Sequence, residues 1–168
     1  TTGADNAAVG RDALANNTTA SHNTAVGKSA LSANTTGTAL AAVGYQALAA
    51  NTTGDHNTAL GYQAGDSITT GAYNTAVGGS ALSTNSASNN NTAVGYVALQ
   101  MCTAASNTAV GYKALQDCST GSENVAMGTG AAKDLTTATG CVAVGKDSLN
   151  VATTSDYNVA IGHQALVA

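Results

Sequence analysis

The stretch Asn57-Thr58-Ala59-Leu60-Gly61-Tyr62-Gln63-Ala64 is one copy of a phrase that recurs along the whole chain. Close variants of it begin at Asn23, Asn91 and Asn158. Each copy ends a short apolar run with a glycine, here called the key glycine. These glycines are 17 residues apart, except for one interval of 16 residues between Gly95 and Gly111. Such a period predicts a repeat architecture in which each unit packs only on its neighbours.

The composition also favours an elongated molecule. Charged residues make up 8% of the 168 residues, and Phe, Trp and Pro are absent. A spherical core needs large side chains to fill its centre, whereas Ala, Val and Leu suffice for a slender one. We therefore expect a single repeat domain over residues 1–168. Its ends fall part-way through a repeat, which suggests a piece of a longer array or fibre.

The repeat favours strands over helices. Gly, Asn and Thr are poor helix formers, and the apolar runs are short and bounded by Gly and Asn, as strands are. The prediction is an all-β fold, a parallel β-solenoid (β-roll) of about ten 17-residue coils. Each coil should carry one strand over Thr-Ala-Val and a second, weaker one near Ala-Leu. Coils stacked about 4.8 Å apart would align the recurring Asn residues in a ladder, interrupted at Leu40 and Cys141.

Two apolar columns are candidates for the core. The residue before the key glycine is always aliphatic, and the fourth residue after it is Leu except at Gly65 and Ala132. The residue before the aliphatic one is Ala in every repeat. Neighbours in a strand point to opposite faces, so an inward aliphatic column places the Ala column outward, packed against a second surface. Asp in place of Val77 or Gly78 should then unfold several adjacent coils.

The phrases Asn124-Val125-Ala126-Met127-Gly128 and Asn158-Val159-Ala160-Ile161-Gly162 resemble the head repeats of trimeric autotransporter adhesins. The form Asn-Thr-Ala-Val-Gly-Tyr-x-Ala-Leu is similar to repeats of phage tail fibres, often found before a self-cleaving endosialidase-type chaperone domain. The resemblance covers essentially the whole chain, although adhesin heads commonly have shorter repeats. It implies a left-handed β-roll in a homotrimer, with the small outward column facing the threefold axis.

The same resemblance implies a function and a location. The chain would be a structural stalk or head segment of a phage tail fibre or of a bacterial surface adhesin. It would be extracellular, and it would space and display a surface that binds a host receptor. Receptor contact would come from variable outward positions or from a neighbouring domain.

The cysteines form one candidate pair. Cys102 and Cys118 each lie seven residues after a key glycine, so they occupy one column in adjacent coils. That placement is within the range that a disulfide tolerates. The pair is either an inter-coil disulfide, suited to an oxidising extracellular setting, or two stacked free thiols. Cys141 replaces Asn in its column and is expected to be a buried or half-buried free thiol.

An aromatic column is the candidate receptor surface. Tyr45, Tyr62, Tyr96 and Tyr112 each follow a key glycine, in a column shared with charged residues. The column should be exposed. Its rings either cover the edge of the core or form a stripe that binds glycans, since flat aromatic faces suit sugar rings.

Other functional classes find little support. A net charge of −4 without basic clusters disfavours nucleic-acid binding, and no apolar run is long enough to span a membrane. His22 and His56 lie two coils apart, too far to converge on a metal, so no metal or cofactor is expected. The acidic residues scatter without forming a catalytic pair, and we expect no enzyme.

Ice binding is the alternative function. Two neighbouring threonine columns, which begin at Thr18 and Thr19, resemble the face of solenoid ice-binding proteins. Those faces usually carry Thr-x-Thr, so that both hydroxyls point the same way. Adjacent threonines in a strand point to opposite sides, which counts against this reading.

Overall fold

The computed structural model describes residues 2–150 and 154–167, and in this range the chain forms ten three-residue strands. They are β1 (Ala7–Val9), β2 (Thr24–Val26), β3 (Ala41–Val43), β4 (Thr58–Leu60), β5 (Thr75–Val77), β6 (Thr92–Val94), β7 (Thr108–Val110), β8 (Val125–Met127), β9 (Val142–Val144) and β10 (Val159–Ile161). All ten form one parallel sheet in sequence order. The predicted β-solenoid is confirmed. Coils are numbered after their strands, so that coil 4 is 57–73 and coil 6 is 91–106.

Each coil contains a single strand, so the second strand predicted near Ala-Leu is wrong. In coil 4, residues 62–67 form a turn directly after β4 and Gly61. The reason is the backbone of this segment: the Leu of the turn is left-handed, with φ of 49° at Leu48 and 53° at Leu82. This conformation is incompatible with a strand.

Three positions per coil are left-handed, apart from the key glycine. They are the second and fourth residues after the key glycine and the residue before the Asn, as at Gln46 (φ 55°), Leu48 (φ 49°) and His56 (φ 57°). Such a conformation costs a non-glycine residue about 1–2 kcal/mol. An isolated coil is therefore strained, and its neighbours must stabilise it.

The strand alanines point into the coil and the aliphatic residues point out, which reverses the predicted orientation. In β2, Ala25 is completely buried, whereas Thr24 and Val26 on either side of it are exposed. In every strand from β2 to β10 the alanine is buried and the residues on either side of it are half-buried or exposed. The interior also receives an Ala and a Leu from the turn, such as Ala47 and Leu48. Little room remains beside them, so the strand contributes a methyl group where a valine would not fit.

Two turn positions share the task of filling the interior. They are the fourth and seventh residues after the key glycine, for example Leu48 and Asn51, both fully buried. In coils 1–8, a Leu at the fourth position is accompanied by Asn or Cys at the seventh. The two exceptions carry a small residue at the fourth position and an aliphatic one at the seventh: Gly65 with Ile68, and Ala132 with Leu135. The burial predicted for the Leu column is confirmed from Leu14 to Leu149, whereas Leu166 in the last coil is 56% exposed.

The Asn ladder is present, although its hydrogen bonds run to the backbone. Asn57 Oδ1 accepts from the backbone N–H of Asn74 at 2.9 Å, and Asn57 Nδ2 donates to the Gly71 carbonyl at 2.7 Å. The pattern repeats for the other buried residues of this column, with Leu40 and Cys141 as the predicted interruptions. Each amide thus links its coil to the next and satisfies buried backbone groups.

Backbone hydrogen bonds between coils continue around the turns. The Leu48 N–H donates to the Ala64 carbonyl and the Thr52 N–H to the Thr69 carbonyl, at 3.0 and 2.9 Å. The key glycines stack so closely that a Cβ on Gly78, whose φ is 129°, would lie 2.5 Å from the Gly95 carbonyl oxygen. Only glycine tolerates both that contact and that backbone angle.

Candidate functional site

The outer face of the sheet is a long and largely uncharged surface. It has two columns, because the first and third residues of a strand share a face. The aliphatic column runs through all ten coils: Val9, Val26, Val43, Leu60, Val77, Val94, Val110, Met127, Val144 and Ile161. Its most exposed members include Leu60 at 50% and Ile161 at 70%.

The second column of the outer face changes character along the sheet. It is Ala or Thr from β1 to β7 and Val from β8 to β10. No charged residue occurs in either column over these ten strands. At the spacing of parallel strands, the ten coils extend this uncharged face over about 45 Å. The aliphatic residues are exposed in coils 1–4, 8 and 10 and half-buried in coils 5–7 and 9. An uncharged, partly apolar strip of this length is a candidate interaction surface.

The tyrosine column consists of two stacked pairs. The Tyr45 and Tyr62 ring centroids are 5.3 Å apart, and those of Tyr96 and Tyr112 are 6.0 Å apart. A lysine ammonium caps each pair, Lys28 at 5.4 Å from the Tyr45 centroid and Lys113 at 5.2 Å from that of Tyr112. The exposure predicted for these four tyrosines agrees with their positions on the surface.

A notch separates the two pairs at Gly79. A Cβ on Gly79 would lie 3.2 Å from Tyr96 Cδ2, so the Tyr96 ring lies beside the glycine. Coil 5 contributes no ring to the column, which leaves one face of Tyr62 and one face of Tyr96 unstacked. These two tyrosines are each 58% exposed, compared with 37% for Tyr45 and 47% for Tyr112. We define the notch by Tyr62, Gly79 and Tyr96.

A second column of exposed side chains includes His22 and His56, which the sequence places two coils apart. The left-handed residue before each Asn forms a corner column, in which the rings of His56 and Tyr73 stack at 5.0 Å with an interplanar angle of 9°. A Cβ on Gly140 would lie 2.7 Å from Tyr157 Cδ1, which places that ring over the glycine. The sequence could have predicted this column, because its residues occupy the same position in successive repeats.

The cysteines lie as the spacing predicted. Cys102 and Cys118 are neighbours in one column, with their Sγ atoms 3.5 Å apart, and both are fully buried free thiols. Cys141 is also a buried free thiol, in the Asn column. Its Sγ accepts from the backbone N–H of Asn158 at 3.4 Å, in place of an amide oxygen.

The two threonine columns differ in what their hydroxyls do. In the first column, Thr35 Oγ1 donates to the Thr52 carbonyl at 3.0 Å and Thr52 Oγ1 donates to the Thr69 carbonyl at 3.1 Å. In the second column the side chains, such as Thr36 and Thr53, are exposed. The columns therefore do not present paired hydroxyls to solvent on one flat face.

The ionisable side chains form only small surface clusters. Lys133 Nζ lies 2.8 Å from Asp134 Oδ1 and 3.8 Å from Asp117 Oδ2, and the bond to Asp134 raises the lysine pKa. Partial burial raises the pKa of Asp66. Among residues 2–150 and 154–167, no three His, Cys, Asp or Glu side chains are grouped as metal ligands would be.

The described part of the chain has no helix with the length and apolarity needed to cross a bilayer. Comparison of the chain with protein-family models, curated proteins and solved structures finds no match.

Proposed function

We propose that this chain is a stalk or head segment of a trimeric extracellular fibre, of the kind found in phage tail fibres and bacterial adhesins. Three copies would pack their outer faces around a common axis. The observation that carries the proposal is the uninterrupted, uncharged aliphatic column along the exposed side of the sheet. The resemblance of the repeat phrase to trimeric head repeats supports the number of copies.

The corrected strand orientation gives this interface its physical basis. In strands such as β5 and β6 the residues available to face the axis are Thr and Val, because the alanine between them is buried inside the coil. Burying aliphatic side chains contributes about 25 cal/mol per Å², so a column of ten is a substantial driving force for association. The absence of charge on this face avoids the cost of burying unpaired ions between subunits.

The mass in solution tests the assembly. Light scattering should give three times the mass of the chain. Val77→Asp should retain the β-sheet signal in circular dichroism and lose the trimer, because it places three carboxylates near the axis. Ala76→Asp is the matched control: this neighbouring side chain points inward, so the coil itself should unfold. The sequence predicted that Asp at Val77 would unfold adjacent coils. Because Ala76 is the strand residue that points inward, that effect is now expected for Ala76→Asp.

The Val77→Asp variant also has a predictable pH dependence. Like charges and burial raise the pKa of a carboxyl in the trimer above its value in the monomer. The trimer should therefore be favoured at low pH and lost as the pH rises through that raised pKa. Wild-type protein measured over the same pH range is the control. A monomeric wild-type chain would overturn the fibre proposal, and thermal hysteresis in such a monomer would favour ice binding.

For the display role, we propose that the notch holds an uncharged pyranose ring. Tyr62 and Tyr96 belong to coils whose backbones are about 10 Å apart. The Tyr96 ring leans over Gly79 into this interval, so the sugar would stack on the unstacked face of Tyr62 and contact Tyr96 at its side. The positions following the column in coils 4 and 5 are polar and uncharged, Gln63 and Ser80. Hydroxyl and amide groups beside two aromatic rings suit a ligand that is apolar on its ring faces and polar at its rim.

Filling the notch tests the glycan proposal without removing either tyrosine. Gly79→Tyr should insert a fifth ring and abolish binding on a glycan microarray. Thr129→Tyr adds a tyrosine to the same column three coils further on, and should leave binding unchanged. Wild-type protein that binds no neutral glycan, or a Gly79→Tyr variant that binds as well as wild type, would contradict the proposal.

A further inference from the structure

The two neighbouring thiols occur at the one irregular coil of the solenoid. Coil 6 is the coil of 16 residues, and the missing residue lies between Cys102 and Asn107. These two are five positions apart, whereas Cys118 and Asn124 are six apart, as are Asn51 and Asn57. Asn107 Nδ2 donates to Cys102 Sγ at 3.4 Å, the same distance as from Asn57 Nδ2 to Asn51 Oδ1 at the end of the regular coil 3. The cysteine pair thus bridges the short coil and its regular neighbour.

In coils 2 and 3 the same column is linked by an amide hydrogen bond. Asn51 Nδ2 donates to Asn34 Oδ1 in the adjacent coil at 3.0 Å, and to the Gly54 carbonyl, also at 3.0 Å. In coils 6 and 7 the corresponding contacts are made by sulfur, with 3.5 Å between the two Sγ atoms and 3.3 Å from Cys118 Sγ to the Gly121 carbonyl. A thiol is a weak donor, so coils 6 and 7 are joined less firmly at this column than coils 2 and 3.

We propose that Cys102 and Cys118 form a disulfide that fastens the short coil to coil 7. The Sγ atoms must approach from 3.5 Å to the bond length of about 2.05 Å. Small side-chain rotations supply this movement, because the two residues already face each other in one column. The proposal is independent of the trimer and of the glycan site, since both thiols belong to one chain.

The reaction needs an oxidant, and a small-molecule disulfide supplies it. The Cys102 thiolate attacks one sulfur of that disulfide, which releases one thiolate and leaves a mixed disulfide on Cys102. The Cys118 thiolate then attacks the Cys102 sulfur and releases the second. Overall, two protein thiols lose two protons and two electrons, and the small disulfide is reduced to two thiols.

Burial determines when the bond forms. Both cysteines are completely inaccessible in the folded chain, so a dissolved disulfide reaches them only before coils 6 and 7 have closed. We therefore expect the bond to form during folding and then to resist reduction under native conditions. Cys141 lies in a different column and remains as an internal reference thiol.

Counting thiols provides the test. The chain is refolded with a mixture of oxidised and reduced glutathione, denatured in iodoacetamide without further reductant, and weighed by mass spectrometry. The expected product carries one alkyl group, on Cys141, and a cross-linked peptide joining Cys102 to Cys118. Cys141→Ser should carry no alkyl group, and Cys118→Ser should carry two. Three alkyl groups on the wild-type chain, or a disulfide that includes Cys141, would overturn the proposal.

A melting experiment tests whether the bond fastens the coil. The oxidised chain should unfold at a higher temperature than the same chain refolded in reductant, since a cross-link restricts the unfolded state. The difference should vanish in Cys118→Ser. Equal melting temperatures for oxidised and reduced wild type would show that the bond, if present, does not stabilise the solenoid.

Discussion

Coils 3 and 4 follow the same path and fill it differently. Coil 3 places Leu48 at the fourth position after the key glycine and Asn51 at the seventh, whereas coil 4 has Gly65 and Ile68 there. All four are buried. A Cβ on Gly65 would lie 3.0 Å from Ile68 Cδ1 and 3.1 Å from Leu48 Cδ2, so the isoleucine occupies the space that the missing leucine leaves.

The comparison shows that the combined volume of the fourth and seventh side chains stays similar from coil to coil, while the residue at either position can change. Coil 8 repeats the exchange with Ala132 and Leu135. Protein interiors are close-packed, and this one is only a few side chains wide, so a large residue at one position demands a smaller one at the other. Hydrogen bonding depends on this volume, because at the seventh position an amide contact such as that from Asn51 to Asn34 needs an Asn that fits beside a Leu.

The largest effect is expected where a coil loses its one large side chain. Ile68→Ala leaves coil 4 with Gly65 and an alanine, which creates a cavity that no neighbour fills. The free energy of unfolding should fall by about 4 kcal/mol, measured by urea denaturation at fixed protein concentration. The control is Thr70→Ala, an exposed side chain of the same coil. A loss for Ile68→Ala no larger than that of the control would break the comparison.

A smaller loss is expected when a coil has two large side chains. Asn51→Leu crowds Leu48 and leaves Asn34 Oδ1 and the Gly54 carbonyl without their donor. Overpacking and unpaired groups together should lower the free energy of unfolding by about 3 kcal/mol. Adding Leu48→Ala recreates the arrangement of coil 8 and should restore the part of the loss that is due to crowding. The volume argument fails if the double variant is less stable than Asn51→Leu alone.

The smallest effect is expected from exchanging the two coil types. Gly65→Leu together with Ile68→Asn converts coil 4 into the coil 3 pattern, and its stability should stay within about 1 kcal/mol of wild type. The amide introduced at position 68 should donate to the Gly71 carbonyl, which already accepts from Asn57. Asn23 and Asn34 share the Gly37 carbonyl in the same way. Gly65→Leu alone serves as the control and should be destabilising. Equal losses in the single and double variants would refute the compensation.

The period of the sequence was enough to predict the solenoid, the Asn ladder and the buried Leu column. The orientation of the strand was predicted wrongly, although the sequence contained the answer. Thr75 and Val77 are two residues apart and share a face, so an inward Val would also bury a column of threonines. Ala76 is the residue whose burial leaves no hydroxyl without a partner.

Two other features differ in how far the sequence reveals them. The exchange between Gly65 and Ile68 was visible as paired exceptions in two columns, and only needed to be read together. The sequence could not show that the Ala-Leu segment is a turn and not a second strand, because leucine has no preference for a left-handed backbone. Leu48 adopts it only because the stacked coils fix the path of the turn. The same holds for the notch, which depends on how the tyrosine rings lean along the column.

The corner column has a practical consequence for engineering. Its ten positions carry acids, amides, histidines, tyrosines and small residues on an unchanged left-handed backbone, and those from Asp5 to Glu123 are exposed. The main chain therefore tolerates wide chemical variety at this register, with β-branched residues as the disfavoured class. A combinatorial library restricted to these corners would vary the binding chemistry along a rigid rod in steps of about 4.8 Å, so that affinity and specificity are selected without redesigning the scaffold.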